Sequence, residues 1–436
     1  MKINKQRKVQ SQPIHKVKTT MLLMRTLQKR INEVIVLVLL LGLGLLGGCS
    51  VSDTKNETTN HSLPSSTPSQ EKIDVSQYLN TKVITNLQTS IYNAGKQEIG
   101  VMEKDVLLQT TSQSVDEYVE IEGGIYVKTD SIEPIEYLDY YDNHLVQLGK
   151  KINIKDVQVY NESFQAVFKL TIDTYKEIVY ESQEHYGFVF QKDMMLVKKQ
   201  DVSEIVETTP EAYASEVPVL MYHFFYDETN NEVAKDNNHL DVTKFEQQLS
   251  ALKELNYQTL TMKELDYVLD GYAKAPEKSF VITIDDGDPS VYKYAYPVIK
   301  KYNYNATLFL IAGWLDPQLE YPFIEMREHG LELQSHSFLL HTGGCLGKGS
   351  ILCIDFDKGV QDTIQSLEYV DGGFVYCYPF GHYNQHAIDI LKAANVKMAF
   401  TTEYGKVKYG MDKWTLPRVR VSGTDTLEGF LNKVKG

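Results

Sequence analysis

Residues 279–287 read SFVITIDDG, and this stretch decides how the second half of the chain folds. It begins as an apolar run of strand length and ends in two adjacent aspartates and a glycine. A short apolar run bounded by a turn signal is typical of a strand that is buried on both faces. The pattern therefore predicts a buried strand with two carboxylates, Asp285 and Asp286, at its carboxyl end.

Around this strand, apolar runs alternate with segments of helical periodicity. We predict strands at residues 217–222, 279–285, 306–311, 332–335, 374–378, 396–400 and 416–421. We predict helices after residue 243 and at 290–302, 323–329, 357–369, 384–394 and 427–434. Such alternation favours an α/β domain, residues 216–436, with a parallel sheet covered by helices and near the size of a barrel.

Polar side chains fall where three of these strands end. His223 follows the first strand, Asp285 and Asp286 end the second, and His336 follows the fourth. In barrel-like α/β folds, the groups that carry chemistry lie at the carboxyl ends of the strands. We therefore expect these side chains to surround one site.

A second histidine, His341, lies five residues after His336. Two imidazoles together with a carboxylate suit a divalent first-row metal that keeps open positions for water and substrate. Taken alone, the Asp-Asp-Gly motif is most often a turn, and a lone histidine is usually structural. In combination they predict a His₂-carboxylate metal site.

Three motifs, TIDDG at 283–287, HSFLLH at 336–341 and YPFG at 378–381, occur in an order and spacing that resemble those of a known family. They resemble the polysaccharide deacetylases of carbohydrate esterase family 4, the NodB-like domains. The segments VPVLMYH and LPRVRV and the histidine spacing are similar to the branch that includes poly-N-acetylglucosamine deacetylases. The resemblance implies a distorted (β/α)₇ barrel and metal-dependent removal of N-acetyl groups from a glycan.

The resemblance also implies the metal ligands. Asp286, His336 and His341 would hold one divalent cation, Zn²⁺ in first place, with Co²⁺, Ni²⁺ or Fe²⁺ as alternatives. The cation would polarise the acetyl carbonyl and lower the pKa of bound water.

Further roles are carried over by resemblance. Asp285 would be the general base, and the backbone N–H of Phe380 would help to stabilise the oxyanion. The usual late Leu-x-His motif is missing, so His223 is the candidate general acid, against the alternative of a histidine bonded to backbone. The usual arginine before Pro-Tyr is also missing, and Arg418 or Arg420 would replace it in orienting the base.

The first 49 residues have the features of a secretion signal. Basic residues precede the apolar run 34–46, which is too short for a stable span, and LGGC at 46–49 resembles a bacterial lipobox. The resemblance implies that Cys49 is lipidated and that the protein is anchored at the extracellular face of the cell membrane. An ordinary signal anchor with a chance cysteine is the alternative.

The chain between this signal and the α/β domain consists of two segments that differ in composition. Residues 50–74 are rich in Ser, Thr, Asn and Pro and predict a flexible linker. Residues 75–206 hold short β-branched and aromatic runs with glycine between them, which predicts a smaller β-rich domain. Its end vaguely resembles bacterial SH3-like modules, with a generic β-rich spacer as the alternative.

Charge and cysteine content exclude some classes of protein. The chain has 44 Lys and Arg against 58 Asp and Glu, which argues against nucleic-acid binding. Four cysteines exclude a disulfide scaffold. Cys345 and Cys353 could close a small disulfide loop, or join His336 and His341 in a structural zinc site, and Cys377 is expected to be a buried thiol.

Three aromatic residues near the motifs, Trp314, Trp414 and Tyr383, are expected to pack in the core or at the rim. An aromatic ring beside a sugar site is nevertheless a common platform.

We therefore expect a metal-dependent polysaccharide N-deacetylase, a hydrolase of carbon–nitrogen bonds, acting on a cell-wall or surface glycan of acetylated amino sugars. The first alternative is a catalytically impaired, glycan-binding envelope lipoprotein. The second is an O-acetyl esterase on a polysaccharide such as xylan, because that reaction would use the same residues.

Overall fold

The computed structural model describes residues 74–135, 143–316, 321–345 and 347–435. All of them belong to one compact unit of the chain, Lys72–Gly436. The predictions for the signal segment 1–49, for Cys49 and for nearly all of the linker lie outside the described residues. Within the described residues, no helix combines the length and the apolar character that crossing a membrane requires.

The first half of the described chain consists of short strands in mostly antiparallel pairs. A ten-stranded sheet has the order β13-β14-β15-β10-β11-β3-β2-β7-β6-β5, and two three-stranded sheets have the orders β4-β1-β8 and β12-β9-β16. The strands are β1 (Lys82–Thr85), β2 (Thr89–Tyr92), β3 (Glu98–Met102), β4 (Leu107–Gln109), β5 (Ser114–Val115), β6 (Tyr118–Glu122), β7 (Ile125–Lys128), β8 (Ile132–Pro134), β9 (Lys150–Asn153), β10 (Gln158–Asn161), β11 (Ala166–Leu170), β12 (Tyr175–Glu177), β13 (Tyr180–Glu181), β14 (His185–Phe190), β15 (Asp193–Lys198) and β16 (Ile205–Glu207).

The second half alternates strands with helices. The strands are β17 (Val219–Tyr222), β18 (Phe224–Tyr226), β19 (His239–Asp241), β20 (Gln258–Thr259), β21 (Ser279–Asp286), β22 (Ala306–Leu310), β23 (Leu331–Ser335), β24 (Gly343–Cys345), β25 (Lys348–Gly349), β26 (Val375–Cys377), β27 (Met398–Tyr404) and β28 (Leu416–Arg420). The helices are α1 (Val242–Glu254), α2 (Met262–Leu269), α3 (Tyr296–Tyr302), α4 (Phe323–Glu328), α5 (Phe356–Tyr369), α6 (Gln385–Ala393) and α7 (Leu427–Lys435).

The large sheet of this half is parallel and returns to its starting strand. Its order is β17-β28-β27-β26-β23-β22-β21-β20, and β17 pairs with β21 as well. The strands from β17 to β21 therefore form a closed order, with their carboxyl ends at one rim. The prediction of an α/β fold is confirmed.

Strand β21 shows why the polar residues face inward. Phe280, Ile282 and Ile284 pack in the apolar cluster that includes the helices α1 and α3. Because side chains alternate along a strand, Thr283 and Asp285 lie on the opposite face, inside the ring of strands. The carboxylate of Asp285 is thereby directed into the ring.

Helix α2 was not predicted, although its sequence carries a start signal. The Thr261 side chain accepts a hydrogen bond from the Glu264 N–H, and the Glu264 carboxylate accepts one from the Thr261 N–H, which is a capping box. The predicted helix 290–302 also differs, since it begins as a π-helical segment, Val291–Ala295, before α3.

The antiparallel half packs against the amino ends of the parallel strands, on the side opposite Asp285. Leu145 and Leu196 share an apolar cluster with Val219 and Leu260. The Val146 N–H donates to the Lys274 carbonyl, shortly before β21 begins. The predicted domain boundaries, 75–206 and 216–436, stay a prediction, because the described residues form a single compact unit.

A buried carboxyl, Glu264, lies at this junction. It accepts hydrogen bonds from the His144 N–H at 2.5 Å and from the Thr261 N–H at 2.8 Å. Burial raises the pKa of Glu264 to about 7, although these hydrogen bonds oppose the shift. At pH values between the ordinary pKa of a glutamate and about 7, Glu264 is therefore protonated in the folded chain and ionised in the unfolded chain.

We expect the free energy of unfolding to fall as pH rises from about 4.5 to 7, by on the order of 1–3 kcal/mol from this group. Glu264→Gln cannot titrate and should flatten that slope, as measured by urea unfolding at pH 5 and pH 8. Glu254→Gln, at an exposed position of α1, is the matched control. An unchanged slope in Glu264→Gln would show that other groups dominate the dependence.

Candidate active site

Asp285 is a buried carboxylate held by Arg418 of β28, which only β17 separates from β21 in the ring. It is 2% exposed, and its Oδ1 and Oδ2 each accept a hydrogen bond from Arg418, at 2.7 Å. Arg418 is 1% exposed and donates its Nε–H to the Thr401 carbonyl. The bidentate pair fixes the carboxylate in position. Arg420, the other candidate, is exposed and bonds Asn238 instead.

The arginine decides the charge of Asp285. Burial by itself raises the pKa of this carboxyl, but the charge and hydrogen bonds of Arg418 outweigh burial and hold the pKa well below its ordinary value. Asp285 is therefore ionised at neutral pH. Each of its oxygens keeps lone pairs that the guanidinium does not use.

Asp286, His336 and His341 converge beside this pair. The Asp286 Oδ1 lies 3.4 Å from the His336 Nε2 and 3.5 Å from the His341 Nε2. Asp286 ends β21 with a positive φ of 75°, so the backbone turns there. That turn brings the two adjacent carboxylates to the same site, where a regular strand would direct them to opposite faces.

These three side chains fit a divalent cation. Donor atoms about 2.1 Å from a tetrahedral Zn²⁺ would lie about 3.4 Å apart, which matches the distances between these atoms. The Asp286 Oδ1 is buried and has no hydrogen-bond partner among the described residues. A buried carboxylate oxygen without a donor is costly unless it binds an ion.

The protonation states of Asp286 and His341 suit cation binding, whereas His336 would have to release a proton. Burial raises the pKa of Asp286, but the neighbouring His336 outweighs burial, and the pKa is lowered. Burial, followed by the charge of His336, lowers the pKa of His341. Burial lowers the pKa of His336, but its interactions with Cys377, Asp286 and Asp285 outweigh burial and raise that pKa well above its ordinary value, so a cation that binds there displaces a proton from His336.

The orientation of His336 is set by the backbone of β26. Its Nδ1 lies 2.7 Å from the Cys377 carbonyl and donates to it, which leaves Nε2 directed at Asp286. A second possible cluster consists of Asp285, His336 and Cys377. Arg418 bonds both the Asp285 carboxylate and the Cys377 Sγ, so a cation there would meet an existing positive charge.

The loop between the two histidines is held by Asp362 of helix α5. Its carboxylate accepts hydrogen bonds from the Phe338 N–H at 2.9 Å and the Leu339 N–H at 2.8 Å. Sequence analysis did not single out Asp362, because its role depends on a contact across more than twenty residues. We assign it as a positioning residue for His341.

We expect Asp362→Ala to weaken Zn²⁺ binding by about 10-fold or more, as loss of an outer hydrogen bond does at metal sites. The measurement is a Zn²⁺ titration in competition with a chromogenic chelator. Asp357→Ala, at an exposed position of the same helix, should keep the wild-type affinity. Equal affinities for both variants would contradict the positioning role.

His223 follows β17 at the edge of the site. Its Nε2 lies 3.8 Å from the Asp285 Oδ2. Burial lowers the pKa of His223, and Asp285 and Asp286 partly oppose that shift.

Phe380 lies on the other side of His341. The two ring centroids are 4.3 Å apart, and Phe380 adopts a positive φ of 60°. Ser337, which follows His336, has a positive φ of 80°. Left-handed backbone is uncommon for residues other than glycine, and such strain tends to cluster at functional sites.

Comparisons with known proteins decide the family. The family model for polysaccharide deacetylases matches residues 272–399. The Bacillus subtilis (strain 168) protein YxkH, whose name assigns it to the polysaccharide deacetylases, is 31% identical over 229 residues, which cover 52% of this chain and 77% of that protein. The chain belongs to the polysaccharide deacetylase family. The predicted resemblance and the predicted class of enzyme, a polysaccharide N-deacetylase, are thereby confirmed at the level of the family.

Two further proteins are similar to this deacetylase. The poly-beta-1,6-N-acetyl-D-glucosamine N-deacetylase of Staphylococcus aureus (strain MSSA476) is 28% identical over 214 residues, which cover 46% of this chain and 73% of that protein. The solved structure of Streptococcus pyogenes deacetylase PplD in complex with acetate is 24% identical, with a TM-score of 0.45, and covers 51% of this chain and 99% of that one.

The cysteines of the deacetylase separate into two environments. Cys377 is a buried free thiol, as expected, and its contact with Arg418 was not predicted. Cys353 is disulfide-bonded, which removes it from the alternative zinc site with His336 and His341. The side chain of Cys345 lies outside the described residues, so its pairing with Cys353 stays a prediction.

Proposed function

We propose that this chain is a metal-dependent deacetylase that removes N-acetyl groups from the amino sugars of a cell-wall or surface glycan, of the peptidoglycan or poly-N-acetylglucosamine type. The observation that carries the proposal is the convergence of Asp286, His336 and His341 beside the Asp285–Arg418 pair. The closed order of parallel strands supports a distorted (β/α)₇ barrel as the frame.

We assign Asp286, His336 and His341 to the cation. A divalent ion bound there, with Zn²⁺ first and Co²⁺, Ni²⁺ or Fe²⁺ as alternatives, would polarise the acetyl carbonyl and lower the pKa of water. The buried Asp286 oxygen that lacks a donor and the two converging imidazole nitrogens support this assignment.

The proton transfers are assigned to Asp285 and His223. Asp285, ionised by Arg418, accepts a proton from the water that attacks the acetyl carbon. Since the pKa of Asp285 is held low, Asp285 does not retain that proton. The proton passes to the neighbouring His223, whose pKa is higher than that of Asp285. His223 then donates a proton to the nitrogen as the carbon–nitrogen bond breaks, so that acetate and a free amine leave.

The remaining group is the backbone N–H of Phe380. We assign it to the oxygen that gains negative charge when water adds to the carbonyl. Its support is the position of Phe380 against His341 and the left-handed turn that replaces a continuation of β26. The ring of Phe380 plays no part in that step.

The cellular setting is part of the proposal. We infer that Cys49 carries a lipid anchor and that the enzyme works at the extracellular face of the cell membrane. The support is the sequence alone, namely the basic flank, the short apolar run and LGGC at 46–49. The product would carry free amines and hence positive charge on the glycan.

The proposal is tested by acetate release from poly-N-acetylglucosamine, peptidoglycan, chitin oligomers and acetylxylan. We expect chelation with dipicolinate to abolish release from amino-sugar substrates, and Zn²⁺ added in slight excess to restore it. Restoration by Mg²⁺ alone would contradict the His₂-carboxylate assignment, because that ion prefers oxygen ligands.

The substrate panel separates the alternatives. Release from acetylxylan alone would favour an O-acetyl esterase. Binding to a glycan without acetate release, in a chain shown to carry its cation, would favour an impaired, glycan-binding lipoprotein.

A further inference from the structure

Trp314 lies at the rim of the site, in contact with a proposed cation ligand. Its side chain is 56% exposed. The indole meets the His341 imidazole edge-on, with ring centroids 5.1 Å apart. Phe380, 44% exposed, contacts the same imidazole. His341 therefore lies between two exposed aromatic rings.

The backbone beneath Trp314 is fixed to the segments that carry the proposed ligands. The Ile311 N–H donates to the Asp286 carbonyl at 3.3 Å, and the Gly313 N–H donates to the Phe338 carbonyl at 2.9 Å. The backbone that carries the exposed indole is thus tied to the segments of the site.

Gly313 permits this close approach. A Cβ at that position would lie 2.5 Å from the Phe338 carbonyl oxygen and 2.5 Å from the Leu339 Cδ2. Leu339 is itself exposed and extends the apolar rim next to Trp314. Trp314 and Phe380 both contact His341, and Leu339 is a third exposed apolar side chain, close to Gly313.

An exposed indole on a rigid backbone is suited to binding. Trp is enriched among the residues that dominate binding, because it supplies large contact area at a low cost in conformational entropy. A pyranose ring presents C–H groups on its faces, so it can pack flat against an indole. The rim carries no charged side chain among these three residues, which suits a neutral, N-acetylated sugar.

We propose that Trp314 is the stacking platform of a sugar subsite that holds the ring adjoining the amino sugar whose acetyl group is removed. The inference rests on the proposed function. His341 contacts both the indole and Asp286, so a sugar on the indole lies to one side of an acetamide placed at the site assigned to the cation. The consequence is that oligomers bind more tightly than the monosaccharide.

The first test measures binding without turnover. The chain contains two tryptophans, so Trp414→Phe leaves Trp314 as the sole reporter. We expect an N-acetylglucosamine hexamer, β-1,4- or β-1,6-linked, to shift the Trp314 emission to the blue in the chelator-treated chain. Its Kd should be at least 10-fold below that of the N-acetylglucosamine monomer. In Trp314→Phe, the remaining Trp414 should show no shift.

The second test separates binding from chemistry. We expect Trp314→Ala to raise KM for the hexamer about 10-fold, which corresponds to about 1.4 kcal/mol, with little change in kcat. Hydrolysis of 4-nitrophenyl acetate, which lacks a sugar, should be unchanged. Tyr409→Ala is the matched control, because Tyr409 is 67% exposed and contacts Gly271 and Lys274, away from the site.

The outcomes distinguish the subsite from the proposed function. Acetate release by Trp314→Ala with a wild-type KM for the hexamer refutes the subsite and leaves the deacetylase assignment standing. A hexamer-dependent shift of Trp314 in a chain that deacetylates no amino-sugar substrate supports the subsite and refutes the function. Absence of both the shift and the activity overturns both proposals.

Discussion

Asp285→Asn is expected to lower the rate of acetate release by about 10³-fold or more while the chain still binds one equivalent of Zn²⁺. The asparagine cannot accept a proton at neutral pH, and general base catalysis contributes roughly 10²–10⁴-fold. The proposed cation ligands lie on other residues, so they keep their positions. The measurements are acetate release from an acetylated amino-sugar oligomer and metal content after dialysis.

The adjacent residue, Asp286, provides the matched comparison for Asp285→Asn. Asp286→Asn removes the charged oxygen that faces both His336 and His341. We expect it to lose both bound Zn²⁺ and acetate release. If Asp285→Asn also lost the cation, or if Asp286→Asn kept it, the assignment of the two carboxylates would be reversed.

Arg418→Met is expected to lower the free energy of unfolding by about 3–5 kcal/mol at pH 7, because it leaves the Asp285 charge buried without a partner. The reason is the exposure of the pair, which is 1% for Arg418 and 2% for Asp285. We also expect acetate release to fall by about 10²-fold or more, since Asp285 would lose its fixed orientation and its low pKa.

The sign of the pH dependence follows from the same pair. With Arg418 present, the pKa of Asp285 is lower in the folded chain than in the unfolded chain. The ionised Asp285 therefore stabilises the fold at pH values above the ordinary pKa of an aspartate. This stabilisation is lost as the pH falls through the lowered pKa. In Arg418→Met the carboxyl can take up a proton at a higher pH. The destabilisation relative to wild type should therefore shrink at pH 4–5.

Two further variants make this prediction specific. Arg420→Met changes an exposed arginine two residues away on β28 and should leave both stability and activity near wild type. The double variant Arg418→Met with Asp285→Asn removes the buried charge as well and should recover part of the lost stability. Additive losses in the double variant would show that the two side chains are not coupled.

The sequence predicted the parts of the site that follow from strand ends. A buried parallel strand can be recognised from its apolar run, and its carboxyl end fixes which rim carries His223, Asp285 and His336. The i,i+5 histidine pair was recognisable from residue type and spacing. In the structure these groups lie near one another, as expected for one rim of one sheet.

Other parts of the site depend on contacts that no local pattern encodes. Arg418 and Arg420 are two residues apart and share a face of β28, so which of them meets Asp285 depends on the register of β28 against its neighbours. The hydrogen bonds that Asp362 accepts from the loop after His336 arise from the packing of α5 on that loop. The exposure of Trp314 depends on how residues 311–314 lie on neighbouring strands.

In the β-rich half, too, some features follow from the local sequence pattern and others from tertiary contacts. Alternation predicted short strands, but their partners are set by tertiary contacts, so a ten-stranded order could not be read from local pattern. Helix α2 is a different case. Its capping box, Thr261 with Glu264, is visible in the sequence and was overlooked.

The left-handed backbone of Asp286 limits how this site can be re-engineered. A carboxylate on a short side chain tolerates a φ of 75° better than most residues, whereas a β-branched or bulky replacement would add conformational strain to any change of ligand. Efforts to alter ion preference should therefore begin at His341, whose backbone is not in that region. Libraries that randomise the aspartate are expected to return mostly unstable proteins.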